Sequence, residues 1–448
     1  MPLTKSPKDN RFWIRWAVTA CPQQLINKTD LRDTKCVLDN GLVIDKTNTL
    51  IVGGGQAGLA MSAHLQKCGV KHLVIEKDRI AERWRTARWD SLVMNGPAWH
   101  DRFPDKRFDN WHPDSFPNKN AVASYFETFA KQINAPIHCG VEVTNVTPSK
   151  NDGFLVKTSK GSIKARNIVA ATGPFQTPII PSIIADDRVS QIHSFNYRNP
   201  GQLDNGAVLV VGAGSSGSQI ADELLRAGRK VYLSIGPHER PPRAYRGKDF
   251  VWWLGTLGKW QMRTPPIGKE HVTIAVSGAY GGKTVDFRKF AHQGMKLLGM
   301  TKTYASGVIT IADDLAKNIA DGDANYLGLL AEADEYIKVN NLDFPAEEGA
   351  KLIMPDPACL TSPTRQLHLE DAGIKTILWA TGYMQDFSWL KVNVFDNQKK
   401  PFHKKGVAAI NGIYFIGLPW LSMRGSSFIW GVWEDARYLA AHIAKHRS

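Results

Sequence analysis

The feature that most constrains this chain is a glycine-rich fingerprint that occurs twice, at residues 53–58 (GGGQAG) and 212–217 (GAGSSG). Each copy follows an apolar run, at residues 49–52 and 207–211, and opens a segment with helical periodicity. A strand, a tight turn and a helix in this order bring backbone N–H groups and the positive end of a helix dipole against a diphosphate. One such fingerprint is weak evidence, but two in the proper context predict that the chain binds two dinucleotides.

The two copies differ in the residue that ends the following strand. After the first copy, the strand at 72–75 ends in Glu76, close to the roughly 20-residue spacing at which a carboxylate reaches a ribose hydroxyl, which suits FAD or NAD. After the second copy, the strand at 231–236 ends without an acid and is followed by Arg240 and Arg243. Guanidinium groups without a carboxylate suit a 2′-phosphate, so NADPH is favoured and NADH remains an alternative. A solvated basic loop would give the same pattern.

Composition narrows the classes of function. The 448 residues suggest two domains. The net charge of +14 is spread along the chain without a basic stripe or an aromatic RNA-binding motif, so we expect no nucleic-acid partner. The five cysteines show no CxxC spacing, which argues against a disulfide scaffold, a metal site and a redox-active dithiol. Without an apolar run near the roughly 18 residues of a membrane span, and without a signal-peptide pattern, a cytoplasmic protein is expected.

The order of the motifs predicts an α/β fold in which one Rossmann-type domain is inserted into another. Strands run into Ala-Thr-Gly turns at residues 171–173 and 380–382, and we expect the second of them to lie after the return to the FAD domain. The expected divisions are an N-terminal extension at 1–48, a first segment of the FAD-binding domain at 49–173, an NADP-binding domain at 174–350 and a second segment of the FAD-binding domain at 351–448. A last helix, expected at 428–445, follows a Gly-Ser turn and would face the flavin pyrimidine, with ordinary capping as the alternative.

Together, the two fingerprints, the paired Ala-Thr-Gly turns and the segment between the fingerprints resemble the flavin-containing monooxygenases, including their plant YUCCA-like and bacterial branches. The resemblance covers about residues 49–448. It implies an enzyme that binds FAD, reduces it with NADPH and forms a C4a-hydroperoxyflavin with O₂, which then oxygenates a small substrate of the nitrogen, sulfur or α-keto acid type. The sequence contains no Gly-x-Ser-x-Gly, HExxH or P-loop lysine, which suits an enzyme whose flavin carries the chemistry.

Several motifs of that family can be placed on this chain. Residues 89–97 (WDSLVMNGP) resemble the motif Tyr-x-x-Leu-x-Thr-Asn-x-Pro, which places Asn95 beside the flavin as the candidate catalytic residue. Its amide would donate a hydrogen bond to a peroxide oxygen, and an unrelated turn asparagine is the alternative. The tryptophans Trp420, Trp430 and Trp433 would line the same pocket or, equally, pack in the core.

The linker signature of the family, Phe-x-Gly-x-x-x-His-x-x-x-Tyr, is half present. His193 and Tyr197 fit its end, whereas Asp187 and Val189 replace the phenylalanine and glycine. The terminal tyrosine favours heteroatom or YUCCA-like chemistry over Baeyer–Villiger oxidation, and a structural role for the histidine remains an alternative. Gly236 replaces an arginine common after the second Rossmann strand, so the preference for NADPH depends on Ser234 and the two arginines named above.

The candidate site residues are those expected to contact the two dinucleotides. The predicted cofactor-binding residues are Gly53, Gly55, Gln56, Ala57, Gly58, Glu76, Lys77, Arg83, Trp84, Asn95, Val143, Ala171, Thr172, Gly173, Gly212, Gly214, Ser215, Ser216, Gly217, Ser234, Arg240, Arg243, Ala380, Thr381, Gly382 and Gly417. The predicted partners are a small substrate and O₂, and the oligomeric state stays open, a homodimer included. An NAD(P)H oxidase without oxygenation and a non-catalytic flavoprotein sensor are the rival functions.

Overall fold

The structure is a computed structural model that describes residues 45–149, 152–185, 188–263, 265 and 274–446. The first 44 residues of the predicted N-terminal extension and Asp187 of the linker signature lie outside the described residues. Residues 46–48, which were also assigned to the extension, belong instead to the first strand.

The described residues alternate between strands and helices along most of the chain. The strands are β1 (Lys46–Val52), β2 (His72–Ile75), β3 (Ile137–His138), β4 (Val143–Pro148), β5 (Phe154–Thr158), β6 (Gly161–Ala170), β7 (Thr177–Pro178), β8 (Ser190–His193), β9 (Ala207–Val211), β10 (Val231–Ser234), β11 (Ala244–Tyr245), β12 (Lys248–Asp249), β13 (Lys296–Leu298), β14 (Thr301–Ala305), β15 (Val308–Ile311), β16 (Gln366–His368), β17 (Ile374–Trp379), β18 (Tyr383–Met384), β19 (His403–Lys404), β20 (Val407–Ala408) and β21 (Ile413–Phe415). The helices are α1 (Gln56–Lys67), α2 (Glu82–Thr86), α3 (Lys119–Gln132), α4 (Ser215–Arg226), α5 (Phe250–Thr256), α6 (Phe287–His292), α7 (Leu315–Val339), α8 (Ala358–Thr361), α9 (Leu369–Ala372) and α10 (Gly431–Lys445).

The first sheet is built around the first fingerprint. Its parallel strands lie in the order β3, β2, β1, β6, β21, and β5 adds an antiparallel neighbour to β6. Strands β2 and β3 therefore extend the sheet on one side of β1, and β6 and β21 extend it on the other side. This change of direction leaves a crevice at the carboxyl ends of β1 and β6. A dinucleotide binds at such a crevice in open α/β sheets.

The second sheet repeats this arrangement around the second fingerprint. Its strands lie in the order β13, β10, β9, β17, β8, with parallel pairing throughout. Two Rossmann-type sheets are therefore present, and the predicted fold class is confirmed.

The boundary of the inserted domain differs from the sequence-based expectation. Strand β17 pairs with β8 and β9 of the second sheet, so the chain is still in the inserted domain at residues 374–379. The short strands β7 and β18 lie in the two segments that connect the sheets, and they pair with each other. Strands of the first sheet resume only at β19. The expected return at residue 351 is therefore too early, because an Ala-Thr-Gly turn ends a strand in both sheets and does not identify the sheet.

The first sheet is covered on both faces, as a parallel sheet requires. One face packs on α1, α3 and α10 through buried side chains such as Leu59, Phe126 and Leu439. The other face packs on the β4–β5 hairpin and on Phe387 and Leu390. Helices α1 and α10 lie against each other, so the carboxyl-terminal helix supports the first fingerprint. In the part of the chain that the structure describes, no helix is long and apolar enough to cross a bilayer.

Candidate functional site

The first fingerprint forms a tight turn between β1 and α1. Gly53 has φ +115°, and a Cβ there would lie 2.5 Å from the Ala171 carbonyl oxygen; a Cβ at Gly58 would lie 1.9 Å from the Gly53 carbonyl oxygen. At Gly55, the residue before α1, an added Cβ would meet no described atom within 4 Å. No side chain among the described residues caps the start of α1, so its first N–H groups remain available to an anion.

Glu76 lies beside this turn. One carboxylate oxygen accepts a hydrogen bond of 2.6 Å from the Gly54 N–H, and the other accepts one of 2.9 Å from the Asp78 N–H. These two bonds fix the carboxylate at the carboxyl end of β2. Each oxygen keeps a lone pair, so Glu76 can also accept hydrogen bonds from a ribose.

A cavity of about 400 Å³ opens in front of the first turn. The predicted residues that line it are Gly53, Gly55, Gln56, Ala57, Glu76, Lys77, Arg83, Trp84, Val143, Ala171, Thr172, Gly173 and Gly417. Gly58 lies behind the turn, where its missing side chain permits the close packing described above. The structure therefore brings these widely separated segments to one cavity.

Other lining residues were not predicted. Gln176 lines the cavity and its amide donates to the Thr172 hydroxyl and the Gly173 carbonyl, at 2.9 and 2.8 Å. Arg88, Phe175 and Trp389 also line it. Gln176 and Phe175 directly follow a predicted turn and could have been included on that ground, whereas no local pattern marks Trp389.

The second fingerprint repeats the geometry of the first almost atom for atom. Gly212 has φ +106°, and a Cβ there would lie 2.5 Å from the Ala380 carbonyl oxygen; a Cβ at Gly217 would lie 1.8 Å from the Gly212 carbonyl oxygen. Gly214 precedes α4, whose first turn contains Ser215 and Ser216. The Ser215 hydroxyl donates to the Ile274 carbonyl at 2.7 Å. The geometry of this turn could hold a second diphosphate.

The second Ala-Thr-Gly turn belongs to this second site. Ala380 lies against Gly212, the Thr381 hydroxyl donates to the Ile179 carbonyl at 2.5 Å, and the Gly382 carbonyl lies 3.0 Å from Nε2 of His193. These three residues were expected in the FAD domain, and the pairing of β17 moves them to the inserted domain. The buried His193 packs at the end of the second sheet, which agrees with the structural alternative for that histidine.

The residues expected to select NADPH all have partners inside the protein. The Ser234 hydroxyl donates to the Gly299 carbonyl at 2.9 Å. Arg240 pairs with Asp323 at 2.7 Å, and Arg243 binds both carboxylate oxygens of Asp249 at 2.5 to 2.6 Å. Both arginines are buried. A buried guanidinium takes a carboxylate partner because an unpaired charge is costly there, and this pairing was not visible in the sequence.

Asn95 connects the two domains. Its Oδ1 accepts a hydrogen bond of 2.7 Å from Nε2 of Gln219 on α4, and its main-chain oxygen accepts one of 2.6 Å from Arg243. Because Gln219 donates to the amide oxygen of Asn95, the two N–H groups on Nδ2 point away from Gln219. These N–H groups form no hydrogen bond with the described residues. Asn95, expected beside the flavin, is not part of the cavity wall; it lies at the contact between the two Rossmann-type units.

The three predicted tryptophans separate into different environments. Trp433 is buried against Phe103 and Phe129, at ring distances of 4.9 and 6.0 Å, and belongs to the core. Trp430 instead packs on Trp260 of the inserted domain at 5.5 Å and on His100 at 5.4 Å. Trp420, with φ +56°, belongs to neither group. Trp430 therefore joins the two domains through its ring contacts, and Trp433 follows the core alternative.

The carboxyl-terminal helix carries a buried carboxyl group, that of Asp435. Asp435 accepts a short hydrogen bond from the Ser422 hydroxyl, and its other oxygen has no partner among the described residues. Burial raises the pKa of Asp435 from 3.8 to about 6, against the opposing hydrogen bonds of Ser422 and Ser426. The folded protein thus keeps a proton that the unfolded chain has already lost between about pH 4 and pH 6.

Because the folded protein retains this proton on Asp435, we expect its stability to depend on pH. Since the native state binds the extra proton, the free energy of unfolding falls as the pH rises from about 4 to about 6. At roughly 1.4 kcal/mol per pH unit, Asp435 contributes a loss of up to about 3 kcal/mol over that window. Asp435→Asn should remove this slope, which urea unfolding at a series of pH values would measure. Identical slopes for the variant and the wild type would contradict the assignment.

Comparisons with known proteins agree with this architecture. Residues 50–254 match the pyridine nucleotide-disulphide oxidoreductase family. An uncharacterized CzcO-like oxidoreductase of Geobacillus kaustophilus is 32% identical over 406 residues, which cover 89% of this chain and 99% of that protein. The probable indole-3-pyruvate monooxygenase YUCCA1 of Arabidopsis thaliana is 30% identical over 192 residues, 42% of this chain and 46% of that protein.

A solved structure shows the same fold. The flavin-containing monooxygenase from Stenotrophomonas maltophilia superposes with a TM-score of 0.62 at 16% identity, covering 90% of this chain and all of that one. Among the described cysteines, Cys68, Cys139 and Cys359 form no disulfide. The chain belongs to the family of CzcO-like oxidoreductases, and its matches to YUCCA1 and to the Stenotrophomonas enzyme support the resemblance to the flavin-containing monooxygenases.

Proposed function

We propose that this protein is an FAD-dependent, NADPH-consuming monooxygenase that oxygenates a small organic substrate. The observation that carries the proposal is the pair of matching glycine turns, each with an uncapped helix start and each with an Ala-Thr-Gly turn against its first glycine. A Cβ at Gly58 or Gly217 would come within 1.9 Å of a carbonyl oxygen, so both turns have the close packing that a dinucleotide site needs.

The first turn would hold FAD. The start of α1 meets its diphosphate, and Glu76 accepts from the adenosine ribose. Gln56 lines the cavity, and its amide donates to the Ser427 carbonyl at 2.8 Å, which fixes the segment that precedes α10. Bound FAD would supply a hydride acceptor and, once reduced, a centre that reacts with O₂.

The second turn would hold the nicotinamide nucleotide. The start of α4 meets its diphosphate, and Gln219 on the same helix orients the amide of Asn95. The two Nδ2 donors of Asn95 are then available to an oxygen atom of the reacting group. Helix α4 would thus both bind the nucleotide in the second site and orient the amide of Asn95.

The substrate would approach between the domains. Trp260 and Phe428, at a ring distance of 5.2 Å, face each other across the two domains, and Phe428 follows Ser427 of the cavity wall. Aromatic walls exclude water and suit an apolar or planar substrate. We propose a nitrogen, sulfur or α-keto acid substrate and a reaction in which O₂ provides one oxygen atom.

The oxygen half-reaction tests this proposal. The protein is reduced anaerobically with one equivalent of NADPH and then mixed with air-saturated buffer in a stopped-flow spectrometer. A long-lived oxygenated flavin in the presence of NADP⁺ is the expected result, and amines, sulfides and α-keto acids can then be screened for a faster decay. Immediate return to oxidised flavin with stoichiometric peroxide, with every substrate tested, would contradict oxygenation and indicate an oxidase.

The ion pairs of the inserted domain lead to a prediction on nucleotide choice. Arg240 forms an ion pair with Asp323, which also pairs with Arg288. The guanidinium of Arg240 therefore binds a carboxylate of the protein itself instead of a phosphate of the nucleotide. We expect Arg240→Gln to change the ratio of the KM values for NADPH and NADH less than about threefold. The same variant should lower the free energy of unfolding by about 3 kcal/mol, because one partner of a buried pair is lost. Steady-state kinetics and urea unfolding measure the two effects.

A selective loss of NADPH use would contradict the structural role of Arg240. The exposed Lys302→Gln in the same domain is a suitable control for the removal of one positive charge. It should leave the stability and the KM ratio unchanged, since surface substitutions away from packed features have small effects.

A further inference from the structure

Arg88 is a guanidinium group on the cavity wall that has no role in the proposed function. It lies shortly after α2 and is stacked against two aromatic rings, at 5.9 Å from the centre of Trp84 and 5.3 Å from the centre of Phe175. Its Nη1 donates to the Ala87 carbonyl at 2.9 Å. Stacking and this hydrogen bond hold the planar group at the edge of the cavity, where it can donate its remaining N–H groups.

The charge of Arg88 is not balanced by a carboxylate in the described part of the chain. No carboxylate oxygen there lies within 4.0 Å of its nitrogens, although two nearby arginines have such a partner: Arg79 pairs with Glu82 and Arg85 with Glu127. The neighbouring charge at Arg88 is that of Arg83, which has the same sign. Burial lowers the pKa of the Arg88 guanidinium, and the Tyr383 hydroxyl beside it acts in the opposite direction.

Arg88 is hydrogen-bonded to the Ala87 carbonyl and to Tyr383, but a guanidinium without a carboxylate partner in a partly buried position is costly unless a ligand neutralises its charge. The ligand must be an anion, and it must enter the cavity that Arg88 lines. The same cavity contains the uncapped start of α1 at Gly55 and Gln56, which is a second group that attracts negative charge. The carboxylates that line this cavity are Glu76, Asp78, Glu82, Glu142 and Asp386. None of them forms an ion pair with Arg88, and Glu82 is already paired with Arg79.

We propose that Arg88 binds the diphosphate of FAD, opposite the start of α1. Arginine suits this task because its fork of N–H groups matches a phosphate and its flat face remains stacked on Trp84 and Phe175. The inference rests on the proposed function only in that the first cavity holds FAD. It adds a phosphate ligand that neither glycine turn predicts.

Flavin binding to the apo-protein tests this inference without any turnover. FAD and riboflavin are titrated into the wild type, Arg88→Gln and the control Arg107→Gln, and flavin fluorescence reports the Kd. Arg107 is exposed and does not line the cavity. Because a hydrogen bond to a charged group contributes about 1.5–3 kcal/mol, the Kd of Arg88→Gln for FAD should rise at least about tenfold. The Kd for riboflavin, which lacks the diphosphate, should stay the same, as should both values for Arg107→Gln.

Thermal unfolding provides a second readout, and the Tm of the apo-protein does not depend on the affinity for FAD. Removal of an unpaired charge should raise the Tm of the apo-protein in Arg88→Gln, whereas the further rise on adding FAD should be smaller than in the wild type. Arg88→Lys, which keeps the charge, should recover part of the affinity for FAD.

Three results would overturn the inference: an unchanged Kd for FAD in Arg88→Gln, an equal weakening of FAD and riboflavin, or an Arg88→Lys protein that binds FAD no better than Arg88→Gln. Each would leave the proposed function standing. A wild type that binds FAD in this way but fails to oxygenate any substrate would contradict the proposed function alone.

Discussion

Gly217→Ala is expected to leave FAD bound and to slow its reduction by NADPH at least about 100-fold, which corresponds to roughly 2.7 kcal/mol of lost stabilisation. The physical reason is local. The new methyl carbon would lie 1.8 Å from the Gly212 carbonyl oxygen, so α4 must move away from the turn, and its first N–H groups would no longer meet a diphosphate. Anaerobic stopped-flow absorbance of the flavin measures the rate, and the FAD content of the purified protein measures the first site.

Gly328→Ala is a matched control in the same domain. Gly328 lies within α7, and a Cβ there would meet no described atom within 4 Å. This variant should reduce flavin at the wild-type rate and should be slightly more stable, since alanine is favoured over glycine inside a helix by about 1 kcal/mol. Wild-type reduction by Gly217→Ala would show that the second turn does not hold the nucleotide.

Gly58→Ala is expected to produce a protein without FAD. Its Cβ would lie 1.9 Å from the Gly53 carbonyl oxygen, and both α1 and the packing of α1 on α10 depend on that contact. We expect a loss of stability of about 3 kcal/mol, at the upper end of the usual range for substitutions that overpack a buried contact. Circular dichroism, the Tm and the FAD content of the purified protein provide the measurement.

Gly55→Ala separates binding from folding at the same turn. An added Cβ at Gly55 meets no described atom, yet Gly55 lines the cavity. This variant should keep the wild-type Tm as apo-protein and bind FAD more weakly, because the methyl group would occupy space that the diphosphate approaches. If Gly58→Ala retained FAD and Gly55→Ala did not differ from the wild type, the first turn would not be the FAD site.

Much of the fold was readable from the sequence because its main determinants are local. A fingerprint, its flanking apolar run and the acid that ends the next strand all lie within a short segment, and the structure brings Gly53, Glu76 and Ala171 together as expected. The cavity wall also contains Arg83 and Trp84, two of the predicted cofactor-binding residues. The position of α10 was predicted to within three residues at its start.

The features that sequence patterns missed depend on pairing between distant segments. Strand β17 belongs to the second sheet because it pairs with β8 and β9. Its own sequence is equally compatible with a place in the first sheet. The partner of Arg240, Asp323, is remote in sequence, so a basic run that looked free is neutralised in the fold. Trp389 reaches the cavity for the same kind of reason.

The central claim is that two dinucleotides occupy the two glycine turns and that one reduces the other. Anaerobic titration of the purified, FAD-loaded protein with NADPH, followed by visible absorbance, tests it most directly. We expect the oxidised flavin spectrum to disappear after about one equivalent of NADPH, since one hydride reduces one flavin. A flavin that stays oxidised with excess NADPH and with excess NADH would contradict the claim.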